Sequence, residues 1–416
     1  MKLTGSALKF SGKTNTRTAG NSAGQRLAIG WFLRAWFCFI LAAVPVCLPP
    51  SLSWGALQGQ PITDNNFKLD IRHGPVVGPA RKVALGGAYT AIAEGVESLS
   101  DNPAGAAFRP SYSRGTWDWD ATLGWFSVGS NDYYNSGDQS LVYDNHLVST
   151  LGFLGQYGRW GMGLSGTGEQ YDLRIPGATS RYNFFDGNIA LGGSFFDRQW
   201  TFGVSSHPVS MTITPSGNDS LTLLNLNGTG FTLGGIWHPD RGRLRLGASY
   251  SSVISSNQPL VPAGSGPARV NGLIVPGEVT MPAEGAVGIA YITERLEGRP
   301  LMIAADIRVA GTVENAVGVE SFLQQTIQRS GERPTAGYHL GVELEAYPKW
   351  LLLRLGSYLE PSRFEGVSYR QHITGGFEAR ISIFPFFGNR NISLGYAFDV
   401  SRDYFYNFVS IGLWRL

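Results

Sequence analysis

The chain has two cysteines in 416 residues, Cys38 and Cys47, and both fall in the first 55. Beyond them neither a disulfide framework nor a thiolate metal site is possible. Charged residues make up only 15% of the chain, low for a soluble protein of this length. No segment after residue 55 holds 18 consecutive apolar residues, which excludes a transmembrane helix there. It does not exclude a closed β-barrel, the other structure that satisfies every backbone hydrogen bond in lipid. The histidines, His73, His146, His207, His238, His339 and His372, stand singly without metal-ligand spacing. No G-x-S-x-G elbow is present, and neither His146 with Ser149 nor His207 with Ser210 has an orienting partner nearby in sequence. No catalytic residue, metal or cofactor is expected, and the chain does not read as an enzyme. Gly161 to Gly166 matches G-x-G-x-x-G, but it lies inside an alternating strand with no helix after it to receive a pyrophosphate. Its glycines mark instead a place for the strand to bend or bulge.

The first 55 residues read as a signal peptide. Lys2, Lys9, Lys13, Arg17, Arg26 and Arg34 occur there with no acid, followed by the apolar run Ala35 to Leu48, Pro49-Pro50 and small residues around Ser53 to Ala56. The run is shorter than the roughly 20 residues a spanning helix needs. Cleavage is expected near Gly55 or Ala56. Val44 and Val46 precede Cys47 where a lipoprotein acceptor has small residues. Six of the 33 basic residues lie in this leader, leaving 27 against 31 acidic ones. That balance offers no basic stripe for nucleic acid.

What the chain has in quantity is glycine, 55 residues, and aromatics, 12%. From Thr116 onward the apolar residues alternate. Ile373, Gly375, Phe377, Ala379 and Ile381 interleave with Thr374, Gly376, Glu378 and Arg380; Leu301, Ile303, Ile307 and Val309 stand in opposite phase to Asp306 and Arg308; Trp117, Trp119 and Leu123 oppose Asp118, Asp120 and Thr122. A period of two over about ten residues, repeated along the chain, fits strands with one apolar and one wet face. About fourteen such strands can be placed. Connections of odd order are expected to be long (129 to 141, 173 to 183, 253 to 278, 311 to 336, 360 to 370). Those of even order are short (158 to 160, 197 to 199, 239 to 242, 348 to 349), with 401 to 403 breaking the pattern. Bacterial outer-membrane barrels show this asymmetry, with the short turns periplasmic. Tyr157, Trp160, Phe196, Trp200, Trp237, Tyr291, Tyr347, Trp350, Phe384, Phe386 and Phe387 flank the short turns, as an interfacial aromatic girdle would. The fold class expected is therefore all-β, a transmembrane antiparallel barrel of about fourteen strands over residues 113–416.

The polar phase supplies the lumen-facing set: Asp118, Asp120, Arg245, Asp306, Arg308, Glu343, Glu345, Arg354, Glu378, Arg380 and Asp399. A symmetric turn centred on Pro348-Lys349 puts Glu343 across from Arg354. These charges read as an internal ion-pair network or as a substrate site, the network being favoured by their mixed sign.

Residues 56–112 are expected to form a small helical hatch inside the barrel. In Lys82 to Ala107, Leu85, Ala88, Tyr89, Ile92, Val96 and Leu99 recur at helical spacing, and Gly86, Gly87, Ala91, Ala93 and Gly95 leave the remaining surface bare. Asn102 before Pro103 is placed to cap the short turn that starts at Pro103 and Ala104. An ordinary turn before a buried helix has the same local pattern.

The stretch ALGGAYTAIAEGVESLSDNPAGAA, with its Asn-Pro-Ala box, resembles the N-terminal hatch signature of the FadL-type (FadL/TodX) outer-membrane transporters of long-chain fatty acids and aromatic hydrocarbons. Leu340 to Gly366 and His372 to Ile381 resemble late strands of that family. The resemblance implies a fourteen-stranded monomeric barrel in outer-membrane lipid and lipopolysaccharide, assembled by the barrel-assembly machinery. It further implies passive uptake of a hydrophobic small molecule, gated by the hatch, through a lateral wall opening, which the glycines of the third strand would provide. Gly86, Gly87, Asn102, Pro103 and Ala104 are assigned to gating and assembly, not to substrate contact. Two features depart from the family pattern. The chain ends on Leu416 where an aromatic is usual, though Phe408 and Trp414 share its phase and keep an assembly signal readable. The longest loops, 253 to 278 and 311 to 336, are the fourth and fifth. In the fifth, Val317, Phe322, Leu323 and Ile327 form the apolar side of a short helix, over the mouth or packed down. Because similar hatch signatures occur in barrels linked to secretion, a scaffold that anchors or releases exported proteins is the rival function.

Overall fold

The computed structural model describes residues 59–72, 74–109, 116–218, 220–239, 243–257, 267–296, 299–384 and 390–415. The leader, its cleavage site, the boundary near residue 112, His73, Phe386, Phe387 and Leu416 lie outside them.

Fourteen strands close into one antiparallel barrel. In chain order they are β1 (Trp117–Ser130), β2 (Val142–Tyr157), β3 (Trp160–Ile175), β4 (Ala178–Phe195), β5 (Trp200–Pro215), β6 (Leu224–Trp237), β7 (Leu244–Ser251), β8 (Glu284–Leu296), β9 (Arg299–Ala310), β10 (Thr335–Tyr347), β11 (Leu351–Glu360), β12 (Arg370–Phe384), β13 (Arg390–Ser401) and β14 (Tyr404–Arg415). β1 and β14 pair from Ala121 with Leu413 to Ser130 with Tyr404 and remove the last free edge. The alternation in sequence becomes an inside and an outside. Leu123, Trp125, Leu151, Phe153, Ile303, Ile307 and Ile373 are exposed on the outer face, whereas Asp118, Asp120, Asp306, Glu343, Glu378 and Asp399 are buried. Tyr157, Trp160, Phe196, Trp200, Tyr291, Tyr347 and Trp350 are exposed in a band near the short turns. No described helix is long and apolar enough to cross a membrane; the strands form the wall.

Four expectations are corrected. Residues 173 to 183 are not a long loop: β3 and β4 run to Ile175 and from Ala178, and a two-residue turn joins them at Gly177, whose φ of 83° suits glycine. The third strand has no bulge and no break in pairing at Gly161 to Gly166. It pairs without interruption to β2 from Ser149 with Gly168 to Tyr157 with Trp160, and to β4 over its whole length. The hatch region does not form the long helix its periodicity suggests. A helix α1 covers only Ala80–Ala84, and short 3-10 turns follow at Val96–Ser98 and Pro103–Ala106. Gly86 and Gly87 take φ of 62° and 78°, ending the helix, and Ala93 and Gly95 are also left-handed. Finally, Phe408 faces inward, fully buried beside Phe126 and Tyr406, so it presents no outward assembly signal.

Above the long-loop end, Lys68–Asp70 lies between Glu278–Met281 and Ala316–Gly318, parallel to both, at the centre of a five-stranded sheet. The loop helix α2 (Val319–Gln324) packs down, with Val319, Phe322 and Leu323 buried.

Candidate functional site

From Val76 to Phe108 every side chain but those of Val77, Glu94 and Ser100 is buried. The segment bonds to wall side chains on all sides. Asp306 of β9 accepts from the amides of Tyr89 and Thr90, each at 2.8 Å, and Asp120 of β1 accepts from Val96 N at 2.8 Å. Gln156 of β2 donates to the carbonyls of Ala106 and Phe108, and Thr374 of β12 to that of Ala84. Contacts around the full circumference of a closed cylinder place this segment in the lumen. The wall carboxylates Asp306 and Asp120 take three amides that a helix would have paired, those of Tyr89, Thr90 and Val96, which lowers the cost of abandoning the helical spacing.

The wall meets this segment through glycine. A β-carbon at Gly203 would sit 2.2 Å from the Pro103 carbonyl carbon, one at Gly161 1.7 Å from Ala106 O, and one at Gly247 2.3 Å from Thr90 O. Similar approaches join Gly341 and Gly356 to Leu85. These inward glycines were missed in the sequence. Their signal was glycine recurring in the polar phase of strands otherwise rich in side-chain bulk. Small residues on both partners let two backbones touch.

Of the residues singled out from sequence, Asn102 is the most fully used. Its Oδ1 accepts from Ala104 N at 3.1 Å, capping the Pro103–Ala106 turn. Its Nδ2 donates to Thr90 O at 2.8 Å and to Gly235 O of β6 at 3.2 Å. Pro103 and Ala104 lie against Gly203. Gly86 N donates to Val83 O at 2.9 Å within the segment, its carbonyl oxygen lies 2.7 Å from His339 Nδ1 of β10, and Gly87 O accepts from Arg308 Nη2 of β9 at 2.9 Å.

The lumen charges form two networks, a longer one through Glu343 and a shorter one on Asp101. Arg354 Nε donates to Glu343 at 2.6 Å from the directly opposite ladder position, and Arg354 Nη2 donates to Glu378 at 2.6 Å. Arg380 Nε lies 3.7 Å from Glu378. Arg81 of α1 holds Glu343 with two bonds and Glu94 with one at 3.0 Å, and Glu94 in turn pairs with Arg245 of β7 at 2.6 Å. Lys82 and Arg308 share Asp101 at 2.9 and 2.5 Å. Burial opposes ionisation of Asp101, but Arg308 and Lys82 hold its carboxyl down to about 2. Burial, aided by Glu378, pushes Glu97 up to about 8. Arg81 was not anticipated, since nothing in its local pattern separates a buried arginine from a surface one.

Two further features border the segment. A cavity of about 190 Å³ lies between it and the wall, its lining mixed: Val76, Val77 and Phe184 alternate with polar and charged residues such as Thr167, Glu169 and His339. Its charged neighbours are mutually paired: Arg72 with Glu284 at 2.6 Å, His207 with Asp186 at 2.9 Å, Lys82 and Arg308 with Asp101. Nearer the long loops is an aromatic cluster built from Tyr133, Tyr143, Tyr171, Tyr182, Tyr404 and Tyr406. Beside it His372 bridges Asp399 and Glu360 at 2.8 and 2.7 Å, and Arg370 ties Glu360 to the carbonyls of Asp132 and Tyr133.

No family model and no curated protein matches the chain. Solved structures do. The CymD monoaromatic hydrocarbon channel aligns with a TM-score of 0.53 at 14% identity, over 82% of this chain and 97% of that one. The toluene transporter TbuX of Ralstonia pickettii gives 0.51 at 14% over 82% and 97%. The TodX monoaromatic hydrocarbon channel with the deltaS2S3 mutation gives 0.52 at 15% over 82% and 99%. At these identities the likeness is one of fold, and the fold of this chain is that of these barrel channels and transporters.

Proposed function

We propose that this protein is an outer-membrane channel for passive uptake of small hydrophobic molecules, with the lumenal segment Val76 to Phe108 as its gate. The observation that carries the reading is the cavity of about 190 Å³ bounded on one side by that segment and on the other by the wall. An apolar cavity of about 150 Å³ is enough to hold a benzene molecule. By volume the space takes a single aromatic ring and not an extended long-chain fatty acid, within a lining that mixes Val76, Val77 and Phe184 with Glu169, His207 and Arg308. The substrates named for CymD, TbuX and TodX are in the same size class, which supports the choice. Opening requires the segment to leave its glycine seats, exchange its ion pairs for water and uncover its apolar contacts with the wall, such as Leu99 against Leu154. The scaffold reading calls for an apolar patch on the external loops. Among the described residues of the long loops the exposed large hydrophobics are Val253 and Tyr369, one in each of two different loops.

The test is uptake of labelled toluene and of a labelled long-chain fatty acid by cells with and without the gene, alongside the Asn102→Ala variant. Loss of toluene uptake on deletion is expected. Unchanged uptake of both compounds overturns the proposal.

A further inference from the structure

The outer face of the barrel is not uniform. Across β1 to β5, near the short turns, lies a groove of about 1370 Å³ walled by Trp119, Phe153, Trp160, Leu191, Phe195 and Phe202. Glycine makes the depression. Gly155 points outward with no atom nearer than 4.0 Å to where its β-carbon would be, and the Trp160 ring lies down over Gly193. At the turn end of the groove stand two exposed arginines. Arg159 is held over the rings of Trp160 and Phe195, 5.2 and 5.8 Å from their centroids. Arg198, in the next turn, donates to Gly158 O at 3.4 Å and so draws the two turns together. The acid in these turns is Asp197, leaving the rim with net positive charge.

We propose that this groove binds one anionic phospholipid of the surrounding leaflet, with an acyl chain along the apolar floor and the phosphate on Arg159 and Arg198. An aromatic-walled slot takes a chain, and cations at the membrane–water boundary select a negative headgroup. Stacking on Trp160 and Phe195 holds Arg159 at the rim and spares the entropy of fixing a free arginine. The short-turn end is the periplasmic end by the loop-length asymmetry, so the partner is a phospholipid and not lipopolysaccharide. The site is separate from the lumen, and its failure would leave the uptake reading untouched.

The full chain, assembled in nanodiscs of equal phosphatidylglycerol and phosphatidylethanolamine, tests this by native mass spectrometry of the lipid retained on release. Wild type is expected to keep phosphatidylglycerol preferentially. Retention should fall roughly fivefold for each of Arg159→Ala and Arg198→Ala. Gly155→Leu, whose β-carbon would meet no atom nearer than 4.0 Å, fills the groove and should abolish the preference with both arginines present. Gly285→Leu, on the outer face of β8 with nothing within 4 Å, is the control and should match wild type. Equal retention of the two lipids by wild type, or full phosphatidylglycerol retention by Gly155→Leu or by the double arginine variant, overturns the proposal. Heat-modifiable migration on gels establishes that each variant is a folded barrel.

Discussion

Arg81, in the short helix of the lumenal segment, grips Glu343 of the wall through Nε and Nη2, each at 2.8 Å, while Arg354 holds the same carboxylate from the neighbouring strand. One carboxylate therefore serves both the barrel and its contents. Arg81→Ala leaves Glu343 with Arg354 and Glu94 with Arg245, so the loss should sit at the low end of the cost of breaking a buried pair, about 3 kcal/mol. It should appear as faster hydrogen–deuterium exchange in residues 80 to 108 with the barrel's heat-modifiability intact. Unchanged exchange would show that the pair does not hold the segment.

Asn102→Ala removes three hydrogen bonds at once and leaves the buried Thr90 carbonyl without its donor, at a cost of roughly 1–3 kcal/mol. Asn102→Asp separates the roles. It keeps the acceptor for Ala104 N but turns a carboxylate oxygen toward the carbonyls of Thr90 and Gly235, so it should loosen the segment at least as much as alanine does. Exchange of the Thr90 and Ala104 regions, followed by mass spectrometry, reports both.

Gly203→Ala should disrupt seating of the segment, because the new carbon would lie 2.2 Å from the Pro103 carbonyl carbon, and backbone on both sides resists. Gly235→Ala is its matched control, meeting only the Phe202 ring at 3.5 Å. Lower folded yield or raised solute leak for the first and not the second is the expected result.

Glu320, in loop helix α2, is pushed up to about 8, first by burial and then by Asp132. Hydrogen bonds from Ser136 and the Tyr143 hydroxyl oppose that shift without cancelling it. A carboxyl that holds its proton more tightly in the folded state stabilises that state below its unfolded pKa, and the contribution is lost as pH rises through the folded value. The loop cap should thus become more protease-sensitive between about pH 4.5 and about pH 8. Glu320→Gln should flatten that dependence; a wild-type profile that is already flat contradicts it.

If the lumenal cavity carries solute, Val77→Phe, which places a ring in it, should cut uptake of single-ring hydrocarbons while leaving exchange of the segment unchanged. Equal uptake by this variant and wild type would place the path elsewhere.

The sequence by itself determined the wall. Period-two alternation needs only that each residue know whether it faces lipid or lumen, and that choice is written in its own side chain. Hence Ile303 and Ile373 face out and Glu343 lies opposite Arg354, the latter following from a turn of known centre. What sequence could not decide was whatever depends on a second surface. The periodicity of Leu85 to Leu99 is that of a helix, and only the wall carboxylates Asp306 and Asp120, more than twenty positions away in sequence, supply the bonds that let the segment unwind. The same holds for the strand glycines. Gly161 read as a point of bending and Gly203 carried no signal, whereas the tertiary structure uses them as seats for Ala106 and Pro103. A missing side chain is visible in sequence; what occupies its place is set by packing.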